Sequence, residues 1–206
     1  MESWIESFLH QSITFAAIMD PVGVSAMMLG MLPHQATHSA VARIARQSTV
    51  TVTVAFFVVL FGGDMILRFF GIDQSSLKVI GGLVLLMMAI EMLGSGHGEK
   101  TPQAGEEIGV IPLGIPIIFG AGLFTTIIIF KQQADTPREL AVTVAAFLVN
   151  VLVVYLALRY AIVLRKWLGK TGEDVVTKLM GLITGAIAAQ FIVGGVVALA
   201  RRYWGS

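Results

Sequence analysis

Asp20 is the side chain least at home among its neighbours. Between Glu6 and Arg43 it is the only charged residue, within an apolar segment from about Trp4 to Leu32. A carboxylate at the centre of a bilayer costs about 3 kcal/mol or more unless it pairs, is hydrated or is neutralised. Ionised, Asp20 is suited to hold an ammonium group or a cation; protonated, it is suited to carry a coupling proton. Pro21 removes a backbone donor and Gly23 tolerates unusual dihedrals, so Ala17 to Ser25 is expected to unwind or kink and to free main-chain polar groups. A simpler reading makes Asp20 the N-cap of a half-helix beginning at Val22, because Asp is a preferred cap and Pro a preferred first residue. The cap and a binding role are compatible.

A second break is expected at Gly120-Ala121-Gly122, which follows Pro112 and Pro116 and precedes Thr125 and Thr126. The start of a half-helix offers unbonded N–H groups and a positive dipole end, both suited to a carboxylate. Together the two breaks suit a small zwitterion. Gly120 and Gly122 would equally allow close helix packing. Asn150 and Gln190 are neutral polar groups at depth, able to bridge helices or to orient a ligand. The candidate substrate-binding set is therefore Asp20, Pro21, Gly23, Ser25, Gly120, Gly122, Thr125, Asn150 and Gln190.

Other polar and small residues read as structural. Ser48, Thr49, Thr51 and Thr53 can bond back to their own helix. Gly81-Gly82 and Gly181-xxx-Gly185 read as close helix contacts, and the methionines at 27, 28, 31, 87 and 88 as adaptable packing. The four histidines are scattered and cysteine is absent, so neither a metal site nor a cofactor is expected. No nucleophile motif, phosphate loop or metalloprotease helix supports an enzyme.

The elements that must position these residues are membrane helices. The chain is 56% hydrophobic and 13% charged, with a mean hydropathy of +0.83; soluble domains carry about twice that charge to cover their surface. A net charge of +1 leaves no footprint for nucleic acid. Spanning a bilayer takes about 20 helical residues. Six intervals qualify: about 4–32, 46–64, 76–93, 108–130, 140–158 and 179–200. Asp64 and Arg68 either pair on a short interfacial helix after the second interval or stand as solvated ends. The start, Met1-Glu2-Ser3-Trp4, lacks the basic region and cleavage site of a signal peptide, so the first segment is expected to be retained. If the N-terminus is outside, the cytoplasmic loops hold eight Lys and Arg against six on the other side, which favours both termini outside.

Residues 94–109, with their Gly-Ser-Gly-His-Gly run, read as a link between a first three-helix half, 1–93, and a second, 110–206. Shifting the second half back by 100 residues places Lys178 on Lys78, Gly181 on Gly81, Ala189 on Ala89 and Gly120-Ala121 on Asp20-Pro21. With three crossings each, the halves would enter the membrane in opposite directions. The expected fold is an all-α membrane protein of six transmembrane helices in two inverted three-helix repeats, with helices one and four broken near mid-membrane.

Four short segments, in order and at the right spacing, carry a family resemblance over nearly the whole chain. They are Met19-Asp20-Pro21-Val22-Gly23; Ile80-Gly81-Gly82-Leu83 running to Ala89-Ile90-Glu91-Met92-Leu93; Ile111-Pro112-Leu113-Gly114-Ile115-Pro116; and Lys178-Leu179-Met180-Gly181-Leu182-Ile183 through Gln190-Phe191-Ile192-Val193-Gly194-Gly195. The chain resembles the MarC family of six-helix membrane proteins, some of whose members are described as neutral amino-acid transporters. It departs from the family at Gly120-Ala121-Gly122, which lacks the central Pro of a Gly-Pro-Gly turn, and at Val24-Ser25-Ala26, where Asn-x-Pro is usual. The resemblance implies a secondary transporter of the bacterial inner membrane for small neutral amino acids such as glycine or alanine, coupled to a proton or sodium ion and able to form a homo-oligomer. An ion exporter or channel using Asp20 and unwound carbonyls, and a membrane scaffold without transport, are the alternatives.

Overall fold

The computed structural model describes residues 4–32, 37–94 and 113–204, and within them every regular element is a helix. In chain order these are α1 (Trp4–Met19), α2 (Pro21–Met31), α3 (His38–Phe69), α4 (Gln74–Leu93), a π-helical segment (Leu113–Ile118), α5 (Ala121–Gln133), α6 (Pro137–Arg159) and α7 (Ala161–Trp204). The starts follow from local chemistry. Thr37 caps α3 by accepting from the Ala40 amide, Asp73 caps α4 through Ser75 and Ser76, and Thr136 with Glu139 forms a capping box on α6 behind Pro137. Gly169, at φ 61°, divides α7 into a short arm and a long one. The link at 94–109 and Pro112 lie outside the described residues, apart from Gly94, which ends α4.

Five stretches among the described residues are long and apolar enough to cross a bilayer: Trp4–Met31, His38–Phe69, Ser75–Leu93, Pro137–Arg159 and Ala161–Trp204. Of the expected fourth crossing, the described part is the π-helical segment and α5, whose 13 residues reach only about 20 Å at 1.5 Å per residue. A helix that short is sheltered by protein here. Gly122, Leu123 and every residue from Thr125 to Phe130 are buried. The first crossing is similarly internal: 56% of its apolar window is buried, against 17% for α7. The two discontinuous helices are thus the innermost, with α4, α6 and α7 outside them.

Aromatic rings tie this centre together. Phe147 of α6 stacks on Phe56 of α3, with centroids 3.7 Å apart, and meets Phe15 of α1 edge-on at 5.5 Å. Phe15 also meets Phe130 of α5 at 5.4 Å. On the other flank α4 is held on both sides by small residues. A Cβ on Gly81 would fall on the Thr125 side chain, and one on Gly82 would lie 2.8 Å from the Ala188 carbonyl of α7. The glycines expected to serve helix contact do so.

The pattern of packing has a symmetry. Exchanging α1 with the π-helical segment, α2 with α5, α3 with α6 and α4 with α7 turns the α2–α7 contact into α5–α4. The same exchange turns α2–α6 into α5–α3, α1–α6 into the π-helical segment on α3, and α1–α5 into the π-helical segment on α2. All of these contacts are present, but α1–α7, α5–α6 and α6–α7 have no counterpart of like extent among the described residues, so the symmetry is partial. The α3–α6 and α4–α7 pairs map onto themselves.

One local expectation is corrected. α3 runs unbroken to Phe69, leaving no separate interfacial helix, and Asp64 turns to Lys131 of α5 at 2.5 Å instead of to Arg68, with Gln132 also donating to it at 3.5 Å. The short α5 ends beside Asp64, so the partner across the helix pair is nearer than the one along the helix.

Candidate functional site

The break between α1 and α2 is a single residue. Asp20 sits at φ 36°, ψ 72°, the left-handed region that Asp tolerates better than most side chains. It is the only non-glycine residue at positive φ among those described. Its own backbone groups remain in use, since its N–H donates to the Ala16 carbonyl at 3.0 Å and its carbonyl accepts from Val24 at 2.9 Å. Of the two outcomes expected for Ala17 to Ser25, unwinding or a kink, the chain takes the kink, and the main-chain groups of Asp20 stay bonded. One left-handed residue redirects the chain while the helices on either side keep their ladders.

Pro21 nevertheless leaves a gap. The Ala17 carbonyl would accept from the amide of residue 21, and Pro21 has none. Thr184 of α7 donates its hydroxyl to that carbonyl at 3.2 Å instead. Two turns earlier on the same face of α7, the Thr177 hydroxyl lies beside the break. A Cβ on Gly23 would fall on Oδ2 of Asp20 and stand 3.3 Å from Oγ1 of Thr177, so only glycine lets the carboxylate fold over the start of α2. There Oδ1 of Asp20 accepts from the Gly23 amide at 3.1 Å. Asp20 is 93% buried, its exposure being 7%. The amide and the positive end of the α2 dipole offset part of the cost of holding negative charge at that depth.

The second break has no such side chain. Gly120, extended at φ −87°, ψ −179°, is the N-cap of α5 and makes no side-chain cap hydrogen bond; its carbonyl accepts from Phe124 at 3.1 Å. The first turn of α5 thus presents backbone amides without a side-chain cap. The shift of 100 residues seen in the sequence now has a structural meaning, because it carries the N-cap of α2 onto the N-cap of α5.

The remaining candidates divide. Ser25 is buried and donates to the Val22 carbonyl at 2.7 Å, and Asn150 is buried and donates to Ala146 at 2.8 Å, so each is satisfied within its own helix. Gly122 and Thr125 face α4. A Cβ on Gly122 would come within 2.6 Å of Leu85, while the Thr125 hydroxyl bonds back to Ala121 at 2.9 Å and its methyl fills the notch at Gly81. Gln190 is exposed, about half a turn around α7 from Ala188, which packs on α4. Depth in the sequence does not fix the face of a helix, and Gln190 does not join the break. Thr49 and Thr53 bond back along α3 as expected, but Oγ of Ser48 has no partner among the described residues.

The structure adds three residues of α7 that the sequence did not single out: Glu173, Thr177 and Thr184, all buried. Their spacing of four and seven places them on one face of the long arm. That spacing was the available signal.

A MarC family integral membrane protein model matches residues 5–200. The chain belongs to the MarC family. A UPF0056 membrane protein of Pyrococcus abyssi is 31% identical over 196 residues, covering 93% of this chain and 95% of its own. In Escherichia coli, the UPF0056 membrane protein YhcE is 29% identical over 188 residues, 87% of each chain, and the UPF0056 inner membrane protein YhgN is 27% identical over 195 residues, covering 93% and 97%. No solved structure matches. This MarC protein is an integral membrane protein that crosses the bilayer on several apolar helices.

Proposed function

We propose that this chain is a secondary transporter of small neutral amino acids of the glycine or alanine type, built from two inverted three-helix repeats in a bacterial inner membrane with both termini outside. The observation that carries the reading is that the two innermost helices are the two discontinuous ones. The start of one half-helix carries a buried carboxylate, and the start of the other presents amides without a side-chain cap. An ammonium group would face Asp20 and a carboxylate the first turn of α5, a division of labour suited to a zwitterion. The partial exchange symmetry of the helix contacts, which covers α2–α7, α2–α6, α1–α6 and α1–α5 but not α1–α7, α5–α6 or α6–α7, is the support for the inverted repeat. An ion channel lined by unwound carbonyls is less well supported, because the carbonyls of Ala17 and Asp20 are both hydrogen-bonded.

The test is uptake of labelled glycine and alanine by proteoliposomes holding wild type or Asp20→Asn. Uptake by the wild type that the variant loses is expected. Unchanged uptake in the variant removes Asp20 from the mechanism, and no uptake by the wild type under any ion gradient sinks the amino-acid reading.

A further inference from the structure

Glu173 is a carboxylate with 7% exposure that the reading above leaves without a role, and it makes no hydrogen bond or ion pair among the described residues. Most of the side chain is covered, yet neither carboxylate oxygen is a fully buried atom without a partner, so the head group still reaches the protein surface. Glu173 lies one turn before Thr177 on the same face of α7, which places the two Cβ atoms about 5–6 Å apart. Thr177 in turn lies beside the Asp20 carboxylate at the Gly23 notch.

The behaviour of the other buried threonines makes Thr177 distinctive. Thr14, Thr49, Thr125, Thr126 and Thr143 each donate to the carbonyl four residues earlier, the usual way for a hydroxyl to satisfy itself in an apolar helix. Thr184 donates across to α1. Thr177, 2% exposed, has no hydrogen bond among the described residues, and its oxygen is directed at the Asp20 turn. Contacts between α7 and the broken helix run antiparallel, Thr184 meeting Ala17 and Thr177 meeting Gly23. Glu173 therefore lies further toward the membrane face at which α2 ends.

We propose that Glu173 and Thr177 form the proton path to Asp20, in the transport reading given above. Glu173 takes a proton from water at the α2 end. Transfer requires Thr177 to turn and hydrogen-bond both carboxyl groups, contacts absent from the conformation described; it then accepts that proton on its oxygen as it releases its own hydroxyl proton to Asp20, so the threonine is unchanged and one proton has moved inward. Among the described residues, the charged groups near this line include Lys178, exposed and next to Thr177 on α7. α2 carries no titratable residue, Lys170 and Asp174 flank Glu173 on α7, Glu91 of α4 is exposed, and Arg159 of α6 stands over the Tyr160 ring at 5.6 Å. Glu6 and His10 of α1 belong to the opposite end.

Two measurements test the path on the full-length protein. In proteoliposomes, counterflow of labelled glycine or alanine at equal pH needs no net proton movement, whereas uptake driven by a pH gradient does. Glu173→Gln is expected to keep counterflow at the wild-type rate and to lose gradient-driven uptake by about tenfold or more; retention of both, or parallel loss of both, overturns the proposal. The second measurement needs no amino acid. After a pH jump in detergent, the infrared carboxylic-acid band that Asp20→Asn removes reports protonation of Asp20. Glu173→Gln and Thr177→Val are expected to slow its rise by about tenfold, with Thr177→Ser restoring it. An unaltered rate, or no such band in the wild type at any pH, overturns the path. If the wild type moves no amino acid while the band rises more slowly in the variants, the transport reading fails and the proton path stands.

Discussion

Thr184 donates its hydroxyl to the Ala17 carbonyl at 3.2 Å, across 167 residues of sequence. The bond exists because Pro21 deprives that carbonyl of its helical donor. α7 thus completes the hydrogen bonding of a helix that the sequence itself interrupts, and the break is anchored without a run of unwound residues. The relationship ties the most lipid-facing crossing to the most internal one.

Thr184→Val keeps the shape of the side chain and removes the donor, leaving the Ala17 carbonyl buried without a partner. The expected cost is about 1–3 kcal/mol, read as a lower melting temperature in detergent, with Thr184→Ser close to wild type. Equal melting temperatures for the valine variant and the wild type would show that the bond contributes nothing.

Gly23→Ala and Gly62→Ala should act in opposite directions. At Gly23 a Cβ collides with the Asp20 carboxylate and crowds Thr177, so the carboxylate must leave its amide; the expected cost is about 1–3 kcal/mol, with loss of transport. At Gly62, inside α3, nothing lies within 4 Å of the added methyl. Alanine there should stabilise by about 0.5–1 kcal/mol. Paired thermal melts decide; a stabilised Gly23→Ala would remove the folded-over carboxylate from the account.

The break itself was legible because a lone carboxylate, a proline and a glycine coincide in an apolar segment, and each restricts the backbone locally. Its partners were not. Thr177 and Thr184 lie more than 150 residues away, and a threonine in an apolar helix reads as self-satisfied until tertiary structure shows where its hydroxyl points. Gly122 and Thr125 were read toward a ligand because they follow a helix start, whereas the fit of Thr125 into Gly81 and of Gly122 against Leu85 decides their direction. The periodicity of α7 is apolar on nearly every side, so it could not tell that Gln190 faces outward while Thr184 faces in.

The cap of α4 gives a pH dependence outside the membrane-spanning segments. The Ser76 amide above all, with the Ser76 hydroxyl, the Ser75 amide and the nearby Arg202, holds the Asp73 carboxyl below its usual range, against an opposing effect of burial second only to the Ser76 amide. A carboxyl whose folded pKa is depressed contributes stability above its unfolded pKa and loses it as pH falls through the folded value. Stability should therefore decline on acidification below the ordinary Asp range. Asp73→Asn, which still caps, should flatten that decline, while Asp73→Ala should cost about 1 kcal/mol near neutral pH. Because Arg202 is largely exposed and its ion pair with Asp73 is 3.6 Å long, added salt should change little. An acid profile identical in wild type and Asp73→Asn would count against the cap as its source.

Ala121 tests whether the two half-helices are equivalent. α2 begins with Pro21 behind the N-cap Asp20, and α5 begins with Ala121 behind the N-cap Gly120. The first helical position has no intrahelical use for its N–H and already holds φ near the value of proline. Ala121→Pro, which restores the Gly-Pro-Gly turn, should therefore be accepted and should stabilise by about 0.4–1 kcal/mol through the unfolded chain. The same substitution one turn later, Phe124→Pro, removes the donor that Gly120 accepts at 3.1 Å and should prevent folding. A melting series in detergent separates the cases. If Ala121→Pro destabilises by as much as Phe124→Pro, position 121 does not correspond to Pro21, and the two halves do not share the same break.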